Sequence, residues 1–130
     1  MNYPNIEVRL VDCMEYVNKV VNKVTTKAYS EMAKKVPNTW GKVYWKSQKG
    51  PLAQISTTSN KVLSIKLNTL LQDFQPDIII STHPFGTQMC AYLKKLGKLN
   101  SKIATVMTDY APHDQWLVFN HYVDFYFVSH

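Results

Sequence analysis

Two short polar strings hold most of the side chains able to do chemistry. They are Ser81-Thr82-His83-Pro84 and Thr108-Asp109-Tyr110-Ala111-Pro112-His113, with Trp116 three residues further on. The imidazole of His83 titrates near neutrality, so it can hydrogen-bond a hydroxyl or ring oxygen; it can equally cap a following helix. Asp109 can orient a hydroxyl or take its proton, or instead form a turn by bonding its own backbone two residues on. His113 can pair with Asp109 as an oriented acid–base unit. Trp116 can stack on a sugar, lie at an apolar–water boundary, or fill core beneath a loop. No metal is expected at His83, Asp109 and His113, because no His-x-x-x-His and no second carboxylate pair completes a ligand set. A Gly-x-Ser-x-Gly elbow and a phosphate-cradling P-loop are also missing, which removes support for serine hydrolase and NTPase chemistry.

The elements that must hold these strings follow from periodicity. Residues 5–11 alternate apolar and polar, which predicts a strand with Ile6, Val8 and Leu10 on one face. After Asp12 a helical period takes over: Val17, Val20, Val21, Val24, Ala28 and Met32 recur at three- and four-residue steps, and Pro37 ends it. Residues 38–51 read as loop or a short helix bounded by Gly50-Pro51. A second helix is predicted over about 60–75, with Leu63, Leu67, Leu70, Leu71 and Phe74 as its stripe and Pro76 closing it. Ile78-Ile79-Ile80 has no polar face, the pattern of a parallel strand covered on both sides. A helix over 86–96 stops at Gly97. Ile103–Met107 and Asp124–Val128 read as two more strands. The order is that of an α/β fold with a mostly parallel sheet, in which ligands gather at the carboxyl ends of strands. Both polar strings sit directly after buried strands.

Composition bounds the setting. The chain has 130 residues, 45% hydrophobic and 12% aromatic. That is enough for one packed domain without disulfides or metal. Cys13 and Cys90 match no metal or disulfide spacing and read as buried thiols in a reducing, cytoplasmic compartment. The N-terminus is too polar for a signal peptide, and no apolar run approaches ~20 residues. The net charge is +6, and it is concentrated. Within 18–50, eight lysines face only Glu31, interleaved with Tyr29, Trp40, Tyr44 and Trp45. Lysine beside Trp suits an anionic membrane surface, with Lys19, Lys23, Lys27, Trp40, Lys42, Trp45 and Lys46 as the expected contacts. The alternative is a solvated lysine face over aromatic core residues. Nucleic acid is not an expected partner, since the single arginine is Arg9 and no nucleic-acid module is recognisable.

Three strings carry a family resemblance: Pro76-Asp-Ile-Ile-Ile-Ser-Thr-His-Pro-Phe85, Val106-Met-Thr-Asp-Tyr-Ala-Pro-His-Asp-Gln-Trp116 and Val123-Asp-Phe-Tyr-Phe-Val128. Together with Val11-Asp12, Lys27-Ala-Tyr29 and Trp40-Gly-Lys-Val-Tyr44 upstream, the chain resembles the N-terminal domain of monogalactosyldiacylglycerol synthases and the related processive diacylglycerol glucosyltransferases. The resemblance covers nearly the whole chain. It implies a GT-B glycosyltransferase without a cofactor or an obligatory metal. The Rossmann-like, three-layer N-terminal half would receive diacylglycerol, and a C-terminal half would bind the UDP-sugar. Thr82, His83, Pro84, Thr108 and Trp116 would then shape the acceptor side, with Asp109 and His113 as catalytic candidates. The location implied is cytoplasmic, peripheral on the inner face of the cell membrane.

Two departures from the family pattern shape the expectation. The family's opening strand and its Gly-Ser-Gly-His turn are not found, and the sequence ends at Val128-Ser-His130 without a nucleotide-sugar domain. The expectation is therefore a single domain, 1–130, forming part of an acceptor domain and inactive alone. The alternatives are a non-catalytic peripheral membrane-binding module and a truncated inactive remnant.

Overall fold

The computed structural model describes residues 5–17, 51–110 and 113–129. The lysine–aromatic segment of 18–50, with all seven expected membrane contacts, lies outside the described residues, as does most of the valine-rich helix. Asp12 opens the first helix, α1 (Cys13–Val17). Its carboxylate accepts from the Glu15 amide at 3.0 Å and its carbonyl from the Tyr16 amide at 2.9 Å, the N-cap arrangement that satisfies amides with no helical partner.

Helix α2 runs Pro51–Phe74, nine residues earlier than the apolar stripe alone predicted. Proline is well placed at the start, where its missing N–H costs nothing. The intervening Ser56-Thr57-Thr58-Ser59 run is poor in propensity but contains no breaker. Gln75, at φ 47°, and Pro76 end the helix and turn the chain into β1 (Ile78–Ser81). Helix α3 (Pro84–Lys95) follows. Its end is a full Schellman closure: the Gly97 amide bonds the Lys94 carbonyl at 3.0 Å and the Lys98 amide bonds the Leu93 carbonyl at 2.9 Å. Gly97 takes φ +68°, which a side chain would oppose. Strand β2 (Lys102–Val106), 3₁₀ turns at Asp114–Leu117 and Asn120–Tyr122, and β3 (Phe125–Phe127) complete the described elements.

The sheet order is β1-β2-β3, all parallel, with Ile80 opposite Ala104 and Ala104 opposite Phe125. This is the α/β, Rossmann-like arrangement the sequence implies. The core joins Leu67, Leu70 and Leu71 of α2 to Met89, Cys90, Ala91 and Leu93 of α3, with Leu99 and Ile103. Each of the larger side chains contributes about 1.5–3 kcal/mol on burial. Cys90 is fully inside, and burial pushes its thiol up to about 12. Asp124 anchors the β3 end of the sheet. It accepts from the Ile103 amide at 2.8 Å, pairs with Lys94, and lies 3.1 Å from Lys102.

Two expectations are corrected. Residues 6–11 take no regular secondary structure and join no ladder among the described residues, and Leu10 is 98% exposed. Alternation specifies a strand fit for half-burial, yet a strand also needs a neighbouring backbone, and the described ladder of β1 is with β2 only. Val11 alone of that segment packs on the core. Second, among the described residues the isoleucine run is covered on one side: Ile79 packs against the core, whereas Ile80 is 64% exposed. The described helical core lies against one face of the sheet, and the other face presents Ile78, Ile80, Phe125 and Phe127.

Candidate functional site

The two polar strings meet at the carboxyl ends of β1 and β2. Thr108 donates its hydroxyl to the Thr82 carbonyl at 3.4 Å, tying the strand ends together. Beneath them the hydroxyls of Thr87 (α3) and Thr105 (β2) share a buried hydrogen bond of 3.0 Å, which fixes the helix against the sheet. Gly86 permits the close approach of α3 to β1. A Cβ there would stand 2.7 Å from the Ser81 hydroxyl, and that hydroxyl donates to the His83 carbonyl at 2.9 Å.

His83 is the N-cap of α3. Its Nδ1 accepts from the Phe85 amide at 3.3 Å, and its ring lies edge-on to Phe85 at 4.8 Å between centroids. Pro84 follows at the first helical position and is buried. Accepting through Nδ1 places the proton of the neutral ring on Nε2. Burial of the ring lowers the His83 pKa below its ordinary 6.5; Asp109 and Asp12 oppose that change and His113 adds to it. Asp12 thus joins the group of charges, brought there by α1.

Asp109, His113 and Trp116 form one unit. The Trp116 indole Nε1 donates to Asp109 Oδ2 at 2.7 Å, and His113 Nε2 lies 3.4 Å from the same oxygen. His113 repeats the role of His83: it caps the 3₁₀ turn, its Nδ1 accepting from the Gln115 amide at 3.2 Å. The pairing of His113 with Asp109 expected from sequence is therefore present. Trp116 is 1% exposed, so its ring offers no face to a sugar or a lipid. Of the readings open in the sequence, it fills core beneath the loop, and it reaches the site only through its N–H. Its carbonyl accepts from the Tyr126 hydroxyl at 3.2 Å.

Sequence reasoning missed a buried amide network behind this unit. The Asn60 amide donates to Gln88 Oε1 at 2.9 Å, and Gln88 Nε2 donates to the Gln115 carbonyl at 2.7 Å and its side-chain oxygen at 3.2 Å. One signal was available: Asn60 continues the Ser64-Leu67-Leu71 stripe of α2 at helical spacing, a polar residue on a buried face. Among the described residues, no three His, Cys, Asp or Glu side chains are placed to share a metal ion, and no helix is long and apolar enough to cross a membrane.

A parallel Rossmann-like sheet with a polar cluster of His, Asp and Thr at its strand ends defines an α/β domain with a candidate site where such sheets gather their ligands. More specifically, the family model for monogalactosyldiacylglycerol (MGDG) synthase matches residues 1–130, and the chain belongs to that family of glycolipid glycosyltransferases. Comparison with curated proteins and with solved structures gives no match.

Proposed function

We propose that this chain is the acceptor-side part of a GT-B glycosyltransferase that moves a hexose from a UDP-sugar to the hydroxyl of diacylglycerol. The observation that carries the reading is the fixed carboxylate of Asp109 at the strand ends, in electrostatic reach of His83 and clamped on one oxygen by Trp116 and His113. Thr82, His83 and Thr108, all exposed, line the acceptor's approach; Pro84, expected there from sequence, is buried as the first residue of α3 and offers the acceptor no surface. The acceptor oxygen attacks the anomeric carbon as the bond from that carbon to the UDP phosphate oxygen breaks. The hydroxyl proton passes to the Asp109 carboxylate, whose Oδ1 has no donor among the described residues. With both Nδ1 atoms used as helix caps, the histidines act as N–H donors through Nε2 rather than as proton acceptors. The nucleotide-sugar half is supplied by a further domain, and UDP is held there.

The lysine–aromatic segment, with Lys19, Lys23, Lys27, Trp40, Lys42, Trp45 and Lys46, holds the domain on the anionic inner face of the cell membrane, each lysine adding ~1 kcal/mol. Bicelles of neutral lipid with and without diacylglycerol test the acceptor site by NMR. Diacylglycerol-dependent shifts confined to 82–84 and 108–113 support it, and their absence overturns it. Flotation with anionic vesicles at low and high salt tests the surface: salt-sensitive flotation is expected.

A further inference from the structure

The amides of Asn60, Gln88 and Gln115 sit on three different elements and are all buried; Gln88 has no exposed surface. Buried amides are costly unless satisfied, and leucine or methionine would fill the same volume without that requirement. Here each of the three is hydrogen-bonded within the network, and the network has one possible polarity. A backbone carbonyl can only accept, so the Gln115 carbonyl at 2.7 Å obliges Gln88 to present its NH₂ group. The Gln88 carbonyl then faces α2 and obliges Asn60 to donate. Such a directed chain fixes the height and rotation of the 3₁₀ turn relative to the two helices.

The turn it fixes is the one that carries the clamp on Asp109. Gln115 adjoins Trp116, whose amide bonds the His113 carbonyl at 3.0 Å, while the Gln115 amide bonds His113 Nδ1. One step further, the Trp116 indole and His113 Nε2 converge on Asp109 Oδ2. We infer that Asn60, Gln88 and Gln115 are positioning residues, a buried relay from α2 through α3 that sets the Asp109 carboxylate by way of Trp116. The consequence for transfer rests on the acceptor-site reading above; the relay itself does not.

The test is hydrogen exchange and chemical shift of the Trp116 indole N–H in the full chain, its resonance assigned with Trp116→Phe. Gln88→Met keeps the volume and removes the relay. The expected result is exchange faster by about five- to tenfold, the equivalent of one ordinary buried hydrogen bond, with the indole proton moving toward its solvent-exposed position. Leu99→Ala, a core truncation away from the relay, serves as the stability control and leaves the indole shift in place. An indole signal unchanged in Gln88→Met, or changed equally in Leu99→Ala, overturns the relay. If Gln88→Met does not fold, Asn60→Ala decides: it breaks the first link, and a smaller change in the same direction is expected, no change overturning the relay. Acceptor-induced shifts missing from the unmodified chain would defeat the functional reading instead, with the indole result unaffected.

Discussion

The indole nitrogen of Trp116 and the carboxylate of Asp109, seven positions apart in sequence, are joined by a 2.7 Å hydrogen bond. The ring is buried and the carboxylate lies at the strand ends, so the bond links core packing to the candidate site. Trp116→Phe keeps most of the ring's apolar burial and removes its N–H donor, leaving His113 Nε2 at 3.4 Å. A hydrogen bond to a charged group is worth about 1.5–3 kcal/mol. Urea unfolding of Trp116→Phe should show a loss in that range. Asp109→Asn should cost less, since its amide oxygen still accepts. Equal losses would mean that the bond contributes little and that Trp116 matters through volume alone.

How far the sequence discloses this arrangement depends on the range of the interaction. Ile78–Ile80, Ile103–Val106 and Phe125–Phe127 are legible as strands because β-branched and aromatic runs have few alternatives, and the strand-end rule then locates Thr82, His83, Thr108 and Asp109. The capping role of His83 is legible as one of two local options, and the structure shows the cap. The relay is not legible: each amide of Asn60, Gln88 and Gln115 chooses its partner only after α2, α3 and the 3₁₀ turn have packed. Exposure of Ile80 and Leu10 also escapes a local reading, because pattern specifies a face fit for burial and tertiary structure decides what covers it.

Gly86 is required by the approach of α3 to β1. Alanine would gain up to ~1 kcal/mol of helix propensity. Its Cβ would meet the Ser81 hydroxyl at 2.7 Å and sit 3.5 Å from the Cys13 sulfur. Overpacking of this kind costs about 1–3 kcal/mol, so Gly86→Ala should be a net destabilisation in denaturant unfolding. The double variant Ser81→Ala with Gly86→Ala should recover most of it, since the clash is gone. A double variant no better than the sum of its parts would place the strain elsewhere.

Asp124 ties α3 to the sheet. The hydrogen bond from Lys94, then that from the Ile103 amide, holds its carboxyl well below the usual carboxylate range. The unfolded chain therefore binds the proton first as pH falls, and folding stability from this group is present above about pH 4 and lost through the lowered folded value. Asp124→Asn should cost about 1–2 kcal/mol near neutrality. The gap to the unmodified chain should close on acidification. Thermal melts from pH 7 to pH 2 would read this directly, and parallel curves would remove Asp124 from the acid response.

His83 gives the range just below neutrality its own signature. Its Nδ1 must be unprotonated to accept from the Phe85 amide, and burial lowers its pKa while Asp109 and Asp12 oppose and His113 reinforces that change. With the folded value below the ordinary 6.5, the unfolded chain takes up the proton first. The stabilising contribution is complete above about pH 6.5 and declines as pH falls through the lowered value. Asparagine is among the best N-cap residues, and its side-chain oxygen can take the place of Nδ1. His83→Asn should therefore match the unmodified chain at pH 8 to within about 0.5 kcal/mol and fall less steeply between pH 7 and pH 5. The same substitution deletes the Nε2–H, so diacylglycerol-dependent shifts at Thr82 and Thr108 should weaken although α3 remains capped. Retained acceptor shifts with a flattened pH profile would leave His83 a cap and nothing more, and a steep profile in both proteins would assign the acid sensitivity to another group.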